Sequence, residues 1–534
     1  MKVVFITGGV ISSLGKGLVA SSLGMLLESR GYCVNIAKID PYLQIDAGTM
    51  SPYEHGEVFV TEDGGETDLD IGNYERFLNK NLTKDNSITT GKIYYSVLTK
   101  EREGKYLGKT VQVIPHITNE IKDSLKKLGE SCDILIVEIG GTVGDIESQP
   151  FLEAARQMKI DLGKENVSYI HVSLLPYLRA TSEVKTKPTQ HSVKELRSIG
   201  IQPDLLLVRS EVHISRSIKE KLSLFTDVKV ENVLEAVDTD NIYKIPILLE
   251  SQGFSKRVLE TLGLPENKLN IEKYIEFLDK MEKPERTVRI GIVGKYVELK
   301  DAYKSLIEAL KHGATENRAK LELVWINSEE LENENYRNVL KENNLNGILV
   351  PGGFGTRGIE GMINAINYAR VNHIPYLGIC LGMQLMTVEF ARNVCGLKGA
   401  NSKEFDPETP YPVIDIMESQ KDLKALGGTM RLGAQRAILK EGSLAHRIYG
   451  TREISERHRH RYEVNNEFLP ILTSNGFVVS GTSPDGKLVE FAEIENHPFF
   501  IGTQAHPEFK SRPLNTHPLF VKFIEASITN RNTF

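Results

Sequence analysis

Short apolar runs alternate with longer segments of helical periodicity through the first half of the chain. Five runs have the length and composition of buried strands: 2–7, 34–39, 133–139, 169–175 and 205–208. A helical pattern over 18–30 follows the first run, and Gly31 is placed to end it. Strands that alternate with helices predict a doubly wound α/β domain with a parallel sheet.

The second half repeats this alternation after a polar stretch. Residues 266–286 combine a charged helical pattern with Pro284, and we interpret them as a linker. Beyond the linker, five further runs predict strands, at 288–294, 321–326, 346–350, 374–379 and 499–503. We therefore expect an N-terminal α/β domain over 1–265 and a second α/β domain over 287–534.

Composition describes an ordinary globular protein. The 534 residues suggest two to four domains, and 40% of them are hydrophobic and 25% charged. A net charge of −6 gives no reason to expect a nucleic acid or an anionic membrane surface as a partner. No apolar run approaches the length of a membrane span, and the chain starts directly with a strand instead of a cleavable signal.

The four cysteines are scattered. Cys33, Cys132, Cys380 and Cys395 include no pair with the spacing of a zinc site or of a disulfide framework. Free thiols suit a reducing compartment, so we expect a cytoplasmic protein.

One of these cysteines stands between two glycines where a strand pattern changes to a helical one. Gly378, Cys380 and Gly382 form a Gly-x-Cys-x-Gly turn, which is the arrangement of a nucleophile elbow with Cys in place of Ser. The sulfur would then lie at a helix N-terminus, where the dipole favours the thiolate. On this pentapeptide alone, a buried cysteine in a glycine-rich turn is an equally good interpretation.

Two more stretches favour the catalytic interpretation. Residues 350–355 follow an apolar run with a Pro-Gly-Gly turn, which could offer a backbone N–H to an oxyanion. His506 and Glu508 follow the last predicted strand and are suited to act as a base and its orienting acid. Together with Cys380 they resemble a class I (triad) glutamine amidotransferase. Such a glutaminase makes ammonia, so the rest of the chain should consume it.

The first predicted strand ends in a glycine-rich loop that carries a lysine. Residues 8–17 place Lys16 before a helix, which is the context of a phosphate-binding P-loop. Five residues separate Gly9 and Gly15 where the standard loop has four, and Gly17 stands where a Ser or Thr normally holds Mg²⁺. A glycine-rich turn that binds nothing is the alternative.

Carboxylates elsewhere could hold the metal. Glu138 lies near the end of a buried strand, at the mouth of a parallel sheet, and Asp70 lies in the acidic stretch 66–70, which reads as a loop. Lys38 lies in an apolar strand just before Asp40. A lysine in such a strand is unusual unless its charged head meets an anion.

Two basic stretches need separate interpretation. Residues 185–192 read as a basic polar turn, for which a solvated surface loop is the favoured explanation unless a nucleotide is the substrate. Residues 457–465 could form a metal or RNA patch, but the two histidines lack supporting ligands and no aromatic residues are interleaved with the charges.

Seven stretches together resemble the CTP synthase family, and the resemblance runs through essentially the whole chain. These stretches are 8–17, 38–42, 48–52, 55–60, 66–70, 138–147 and 185–190. The loop that ends in Gly17 is the family's own form of the phosphate loop. The resemblance implies pyrimidine nucleotide biosynthesis: ATP phosphorylates the 4-oxygen of UTP, ammonia from glutamine attacks that carbon, phosphate leaves and CTP results.

The resemblance also implies roles for individual residues. Cys380 would attack glutamine, His506 would shuttle protons, and Glu508 would orient His506. Backbone N–H groups of Gly353 and Leu381 would bind the oxyanion. Lys16 and Lys38 would stabilise the phosphoryl group, and Asp70 and Glu138 would be the Mg²⁺ ligands.

Three sets of binding residues follow from the same resemblance. The ATP set is Ser13, Leu14, Gly15, Lys16, Gly17, Leu18, Asp70 and Val237. The set shared by UTP and CTP is Ser12, Asp145, Ile146, Glu147, Lys185, Thr186, Lys187, Pro188, Thr189, Gln190 and Lys221. The glutamine set is Gly353, Leu381, Gly382, Met383, Gln384, Glu404 and Arg461. Activation by GTP, inhibition by CTP and assembly as a homotetramer are implied by the resemblance alone.

Two rival hypotheses remain at this point. A cobyric-acid-type amidotransferase also joins a P-loop domain to a triad glutaminase, but it amidates carboxylates; the stretches 185–190 and 66–70 favour the UTP enzyme. A P-loop switch protein with an inactive glutaminase half is the other rival, and the intact set of Cys380, His506 and Glu508 argues against it.

Overall fold

A computed structural model describes residues 1–295, 297–416 and 430–530. The chain forms two compact units: the first contains Met1–Ala47 and Asp70–Lys273, and the second contains Gly48–Leu69 and Tyr274–Phe534. The domain limits expected from sequence place 48–69 in the first domain, whereas in the structure these residues pack with the second unit. Among the described residues, no helix is both long enough and apolar enough to cross a bilayer.

The secondary structure follows the alternation seen in the sequence. The strands of the described residues are β1 Lys2–Gly8, β2 Val34–Asp40, β3 Phe59–Val60, β4 Glu66–Thr67, β5 Ser87–Thr89, β6 Ile134–Ile139, β7 Val167–Leu174, β8 Tyr177–Leu178, β9 Glu183–Val184, β10 Leu205–Ser210, β11 Val233–Val237, β12 Arg286–Gly294, β13 Ala319–Asn327, β14 Gly347–Val350, β15 Tyr376–Ile379, β16 Asn401–Ser402, β17 Pro412–Ile416, β18 Arg431–Leu439, β19 Glu453–His460, β20 Tyr462–Val464, β21 Phe477–Thr482, β22 Val489–Ile494 and β23 Phe500–Thr503.

The α-helices of the same residues are α1 Lys16–Ser29, α2 Pro52–His55, α3 Leu69–Leu78, α4 Thr90–Arg102, α5 Thr118–Gly129, α6 Gln149–Leu162, α7 Lys187–Ser198, α8 Arg216–Thr226, α9 Ile245–Glu250, α10 Phe254–Thr261, α11 Glu272–Glu282, α12 Lys304–Glu316, α13 Tyr336–Glu342, α14 Ile359–Val371, α15 Leu381–Asn393, α16 Leu444–Tyr449, α17 Leu469–Ser474 and α18 Pro518–Thr529.

The first unit is built on a parallel sheet with the strand order β11-β10-β7-β1-β6-β2-β5. Its central strands are mostly apolar because helices cover both faces, and every residue of β6 is buried. Ile6 of β1 and Lys38 of β2 both pair with Glu138 of β6. The carboxyl ends of three central strands therefore form one edge, which is where ligands gather in such sheets.

The second unit contains a mixed sheet with the order β13-β12-β14-β15-β23-β22-β21-β18-β19. The strands from β13 to β23 pair in parallel, and the remaining neighbours pair antiparallel. Because β15 lies between β14 and β23, the ends of these three strands adjoin. Val350, Ile379 and Thr503 thus bring the three predicted glutaminase stretches to one place.

Residues 48–69 are attached to the second unit by specific polar contacts. The Glu57 carboxylate accepts a hydrogen bond of 2.8 Å from the backbone N–H of Ser305, just inside α12. Arg457 on β19 donates to the Val60 carbonyl at 3.0 Å, and Arg459 Nε donates to Glu66 at 2.8 Å. These contacts explain why a segment from the N-terminal half of the sequence is part of the C-terminal unit.

Two local expectations from the sequence are wrong, and on a third stretch the structure agrees with the sequence. The basic stretch 185–192 is not a turn: α7 begins at Lys187, and Pro188 fits the first helical turn because its fixed φ suits that position. The acidic stretch 66–70 is not a loop, since it contributes β4 and the first turn of α3. The stretch 457–465 lies on β19 and β20, where most side chains are buried, so it is not a surface patch.

Candidate active sites

The strand-to-helix turn at Cys380 has the geometry of a nucleophile elbow. Cys380 links β15 to α15 with φ 50° and ψ −99°, a conformation that non-glycine residues rarely adopt. The turn is tight: a Cβ added at Gly382 would lie 2.2 Å from the Val350 carbonyl oxygen. Glycine is therefore required there, and the sulfur is presented at the start of α15.

His506 and Glu508 lie beside this turn because β23 runs next to β15. The Thr503 carbonyl accepts a hydrogen bond of 2.7 Å from the backbone N–H of Cys380. His506 Nδ1 lies 2.7 Å from Glu508 Oε1. Burial acts to lower the pKa of His506, but the Glu508 carboxylate and Cys380 outweigh it and raise that pKa to about 10. The three predicted triad residues thus form one buried, electrostatically complementary cluster.

The loop after β14 is held against this cluster. A Cβ added at Gly352 would lie 2.7 Å from His506 Cε1, so the loop backbone passes directly beside the imidazole. Lys295 Nζ donates to the Phe354 carbonyl at 3.1 Å, and the backbone N–H of Gly355 donates to Glu404 at 3.0 Å. Two charged side chains therefore fix the backbone of the predicted oxyanion loop.

The same two side chains have perturbed acidities. Burial lowers the pKa of Lys295 to about 8, although the Glu404 carboxylate opposes this effect. Burial also raises the pKa of Glu404. Perturbed acidities of two groups that contact the same loop are typical of a functional site.

A cavity of about 280 Å³ opens next to the triad. Its lining includes Gly48, Thr49, the predicted oxyanion loop, Arg459, Cys380 and His506. The size lies just below the usual range for small-molecule sites, about 300–1,000 Å³. The second unit therefore has a compact pocket that is lined by the predicted nucleophile, the predicted base and the predicted oxyanion loop.

Of the predicted glutamine residues, Gly353 lines this pocket, and several others belong to the turn and helix that follow Cys380. The backbone N–H groups of Met383 and Gln384 both point to the Cys380 carbonyl, at 3.1 and 3.2 Å. Leu381 and Gly382 form the first turn of α15, and Gly353 lies against the Leu381 side chain. The charges of Glu404 and Arg461 interact, which places these two side chains near each other.

The first unit carries the second candidate site, at the carboxyl edge of its sheet. Lys16 Nζ, at the start of α1, donates to the Gly141 carbonyl at 2.7 Å. Lys38 Nζ lies 2.7 Å from Asp40 and 3.0 Å from Asp70. Both predicted phosphoryl-binding lysines are therefore buried and held by oxygen atoms of the protein itself.

The carboxylates of this site perturb one another. Burial, reinforced by the charge of Asp70, raises the pKa of Glu138 to about 7. Burial acts to raise the pKa of Asp70, but Lys38 outweighs it and holds that pKa below its usual value. Burial lowers the pKa of Lys16, against the opposing charge of Glu138. Such mutual perturbation in a cleft is typical of functional sites.

The unusual end of the phosphate loop has a steric explanation. A Cβ added at Gly17 would lie 2.4 Å from Asp70 Oδ1. Asp70 therefore occupies the space in which a standard P-loop places its Ser or Thr hydroxyl, and glycine is what allows the carboxylate to reach it. Glycine at position 17, where the standard pattern has Ser or Thr, is therefore explained by the room that Asp70 needs.

The residues at this edge fit a magnesium ion. Among the described residues, no group of three or more His, Cys, Asp or Glu side chains is arranged as a complete metal cage. Mg²⁺ usually takes one or two carboxylates and completes its shell with water and phosphate oxygens. Asp70 and Glu138 supply such carboxylates, and the neighbouring Asp40 has a buried Oδ2 without a hydrogen-bond partner.

The remaining nucleotide residues are distributed over loops and helix starts of the first unit. Ser12 and Ser13 lie exposed in the loop after β1, and the Ser13 carbonyl accepts a hydrogen bond of 2.9 Å from Arg209. The others lie in an exposed turn, at the start of α7, on α8 and at the end of β11: Asp145, Ile146, Glu147, Lys185, Thr186, Thr189, Gln190, Lys221 and Val237.

Two residues of these sites are not identified by the sequence patterns. Tyr74 on α3 donates a hydrogen bond to Glu138, and Gln504 contacts the sulfur of Cys380. Tyr74 lies too far along the chain from Glu138 for any sequence signal. Gln504 could have been found, because it directly follows the strand that pairs with the nucleophile's strand.

A triad glutaminase unit joined to a unit with a phosphate loop defines a glutamine-dependent ligase. The family profile described as "CTP synthase N-terminus" matches residues 2–264, and the one described as "Glutamine amidotransferase class-I" matches residues 298–526. The chain is 65% identical to the CTP synthase of Methanocaldococcus jannaschii, over 99% of this chain and 98% of that protein. It is 62% identical to the CTP synthase of Methanococcus maripaludis, over 99% of this chain and all of that protein.

A solved structure, the glutaminase domain of Trypanosoma brucei CTPS with bound acivicin, matches at 36% identity with a TM-score of 0.43. The match covers 45% of this chain and 94% of that one. The full-length identities show that the chain belongs to the CTP synthase family, and it is a glutamine-dependent ligase that forms CTP.

Proposed function

We propose that the chain makes CTP through a UTP intermediate phosphorylated on the 4-oxygen, with the synthetase in residues 1–265 and the glutaminase in 287–534. An unmodified ring carbonyl is a poor target for amination because oxide is a poor leaving group. Phosphorylation by ATP converts it into a phosphate ester, and ammonia then displaces inorganic phosphate. The observation that carries the proposal is the buried cluster of Cys380, His506 and Glu508, since it supplies ammonia on the same chain as a phosphate loop.

In the glutaminase unit, the Cys380 thiolate attacks the amide carbon of glutamine. Backbone N–H groups of Gly353 and Leu381 stabilise the oxyanion, and the His506 imidazolium gives its proton to the leaving ammonia. A thioester to glutamate remains. Water attacks it, His506 accepts a proton from that water, and glutamate leaves as the thiolate is restored. Glu508 keeps His506 oriented throughout.

Glutamine itself is held by charge complementarity. Its α-amino group suits the Glu404 carboxylate, and its α-carboxylate suits the planar guanidinium of Arg461. The interaction between these two charges supports this assignment, because the free amino acid carries the same two charges a short distance apart.

In the synthetase unit, Lys16 and Lys38 stabilise the negative charge on the transferring phosphoryl group. Asp70 and Glu138 would hold Mg²⁺, which supplies neutralising charge to the ATP phosphates. The triphosphate of UTP binds near Ser12, at the start of α7 over Lys185–Gln190, and near Lys221. The N-terminus of α7, with Thr186 before it, suits an anion because backbone N–H groups point out of a helix start.

The resemblance to the family supports four further parts of the proposal. GTP activates glutamine hydrolysis, CTP inhibits by competing with UTP, the protein assembles as a homotetramer, and it works in the cytoplasm. ATP binds through 13–18 and Val237, and Asp145, Ile146 and Glu147 contact the sugar and base of CTP when it inhibits.

A labelling experiment tests the intermediate. The protein is incubated with ATP, Mg²⁺, glutamine and UTP that carries ¹⁸O on the 4-position of the ring. We expect CTP to form and the label to appear in inorganic phosphate, because the ring oxygen leaves bonded to phosphorus. CTP formation with unlabelled phosphate would contradict the phosphorylated intermediate, and amidation of a carboxylate without CTP formation would favour the cobyric-acid-type alternative.

A further inference from the structure

A glutamine side chain contacts the nucleophile of the glutaminase unit. Gln504 directly follows β23 and precedes the stretch that carries His506, and it is fully buried. Its Nε2 lies 3.6 Å from Cys380 Sγ, within the range of a hydrogen bond to sulfur. A buried amide beside a reacting sulfur is positioned to influence that sulfur's ionisation.

The orientation of this amide is fixed by its neighbours. Gln384 Nε2 donates to the Tyr462 carbonyl at 3.0 Å, and a backbone carbonyl can only accept. The same Nε2 lies 3.4 Å from Gln504 Oε1. Because Gln384 presents N–H groups, Gln504 must present its oxygen to Gln384 and its own N–H₂ group to Cys380.

The backbone holds this donor in place. The Gln504 N–H donates to the Glu490 carbonyl on β22 at 2.9 Å, and the preceding Thr503 carbonyl accepts from Cys380 N–H at 2.7 Å. The side chain and the sulfur therefore extend from two strands that are hydrogen-bonded to each other next to the site. Little freedom remains for the amide to turn away.

We propose that Gln504 is a further catalytic residue of the glutaminase, which donates a hydrogen bond to the Cys380 thiolate. A hydrogen bond to an ionised sulfur is stronger than one to a thiol, so this donor shifts the ionisation equilibrium of Cys380 toward the thiolate. Gln384 acts as the positioning residue that keeps the amide correctly oriented. The inference rests on the proposed role of Cys380 as nucleophile and extends it to a donor that the triad does not include.

The expected size of the effect follows from the strength of such a bond. Loss of one charge-assisted hydrogen bond removes part of the stabilisation of the Cys380 thiolate relative to the thiol. The thiolate then becomes up to about tenfold scarcer at neutral pH, but a more basic thiolate is about threefold more nucleophilic. We therefore expect kcat/KM for glutamine hydrolysis to fall by roughly 3- to 30-fold, with the larger value if the sulfur also loses its orientation.

The test uses Gln504→Met in the full chain, which keeps the side-chain length and removes the donor. The rate of Cys380 alkylation by iodoacetamide is measured against pH, and the Cys380 peptide is followed by mass spectrometry because Cys33, Cys132 and Cys395 also react. Gln435→Met is the matched control, since Gln435 lies on β18 and bonds to the Leu432 carbonyl. We expect the alkylation profile of Gln504→Met to move up by about one pH unit, and that of Gln435→Met to stay in place.

A second variant covers the case in which Gln504→Met unfolds. Gln504→Glu has nearly the same shape but places a carboxylate at the sulfur, and it should raise the alkylation profile at least as far. Parent-like alkylation profiles and parent-like glutamine kinetics in either folded variant would overturn the role of Gln504. Full glutaminase activity in Cys380→Ala would instead overturn the proposed nucleophile, so the two failures are distinguishable.

Discussion

The glutaminase site of the second unit and the phosphate site of the first differ in how their charged groups are paired. In the glutaminase site, the imidazolium of His506 and the Glu508 carboxylate already have the arrangement that catalysis needs. In the phosphate site, Lys38 forms ion pairs with Asp40 and Asp70, so the cation that we propose for the phosphoryl group is paired with the protein's own carboxylates.

This difference reflects what each substrate brings. Glutamine carries no net charge, so its site must be complete before it binds. ATP and the proposed Mg²⁺ would bring large charges of both signs, and without them the buried lysines and carboxylates of the site compensate one another. The comparison predicts that changes in the glutaminase site lower CTP synthesis from glutamine alone. Changes in the phosphate site should lower synthesis from glutamine and from added ammonia.

Loss of the nucleophile should have the largest effect. Cys380→Ala should lower glutamine-dependent CTP synthesis on the order of a thousandfold or more, because Cys380 is the cysteine that lines the cavity beside His506. Synthesis from added ammonia should persist, and Cys395→Ala serves as the control. Equal loss of both activities in a folded variant would contradict the separation of the two sites.

Loss of Lys16 in the phosphate loop should have the second-largest effect. Lys16→Met should lower synthesis from glutamine and from ammonia alike by about a hundredfold or more, since charge on the transferring phosphoryl group loses its partner. Lys127→Met, at an exposed position on α5, is the matched control. If synthesis from ammonia survived at the parent rate, Lys16 would have no part in phosphoryl transfer.

Loss of Glu508, the proposed orienting acid, should have a smaller effect, and this effect should depend on pH. Glu508→Gln removes a group that raises the pKa of His506, so glutamine hydrolysis at neutral pH should fall by about 10- to 100-fold. The interactions that raise this pKa also stabilise the folded state. Their contribution to the free energy of unfolding is fully present below pH about 6.5 and is lost progressively as the pH rises toward about 10.

Thermal unfolding measured across that range checks the second part of this prediction. The parent should be more stable than Glu508→Gln near pH 6.5, and the gap should narrow toward pH 10. Glu467→Gln, an exposed position in the same unit, should show no such trend. A gap that widens with pH would show that the pair of His506 and Glu508 is not its source.

Substitution of the two proposed metal ligands should have the next-largest effect. Asp70→Asn and Glu138→Gln should each raise the Mg²⁺ concentration needed for half-maximal synthesis by about tenfold or more, because each removes one carboxylate. Asp123→Asn, exposed on α5, is the control. Titration of synthesis from ammonia against Mg²⁺ measures this, and parent-like curves for both variants would place the metal elsewhere.

The smallest effect concerns feedback within the phosphate site. UTP and CTP share a triphosphate and differ only at the 4-position, so Lys187→Ala should weaken UTP use and CTP inhibition together. Glu147→Ala should relieve CTP inhibition severalfold and leave the apparent UTP affinity nearly unchanged, if the two bases occupy different pockets. CTP inhibition series at several UTP concentrations measure both, and purely noncompetitive inhibition of the parent would refute the shared triphosphate site.

Local patterns in the sequence predict most of the fold and the identities of the reacting groups. The apolar runs before Cys380 and before Lys16 become β15 and β1, because a strand buried on both faces must be apolar throughout. The spacing of the glycines around Cys380 is enough to indicate the sharp turn. The sequence pattern does not predict helix α7, because charged residues and Pro188 read as a turn unless the first-turn position of the proline is recognised.

The sequence by itself predicted the α/β fold and the family, and it indicated the candidate nucleophile with its candidate base and acid. Only the tertiary structure decided that Asp70 fills the space above Gly17, that residues 48–69 pack with the second unit through Glu57 and Arg459, and that Gln504 faces the sulfur of Cys380. The physical reason is range. Strand and turn preferences act between neighbours in the chain, whereas these contacts join residues distant in sequence, or set a side-chain direction, and both arise only when sheets bring strand ends together.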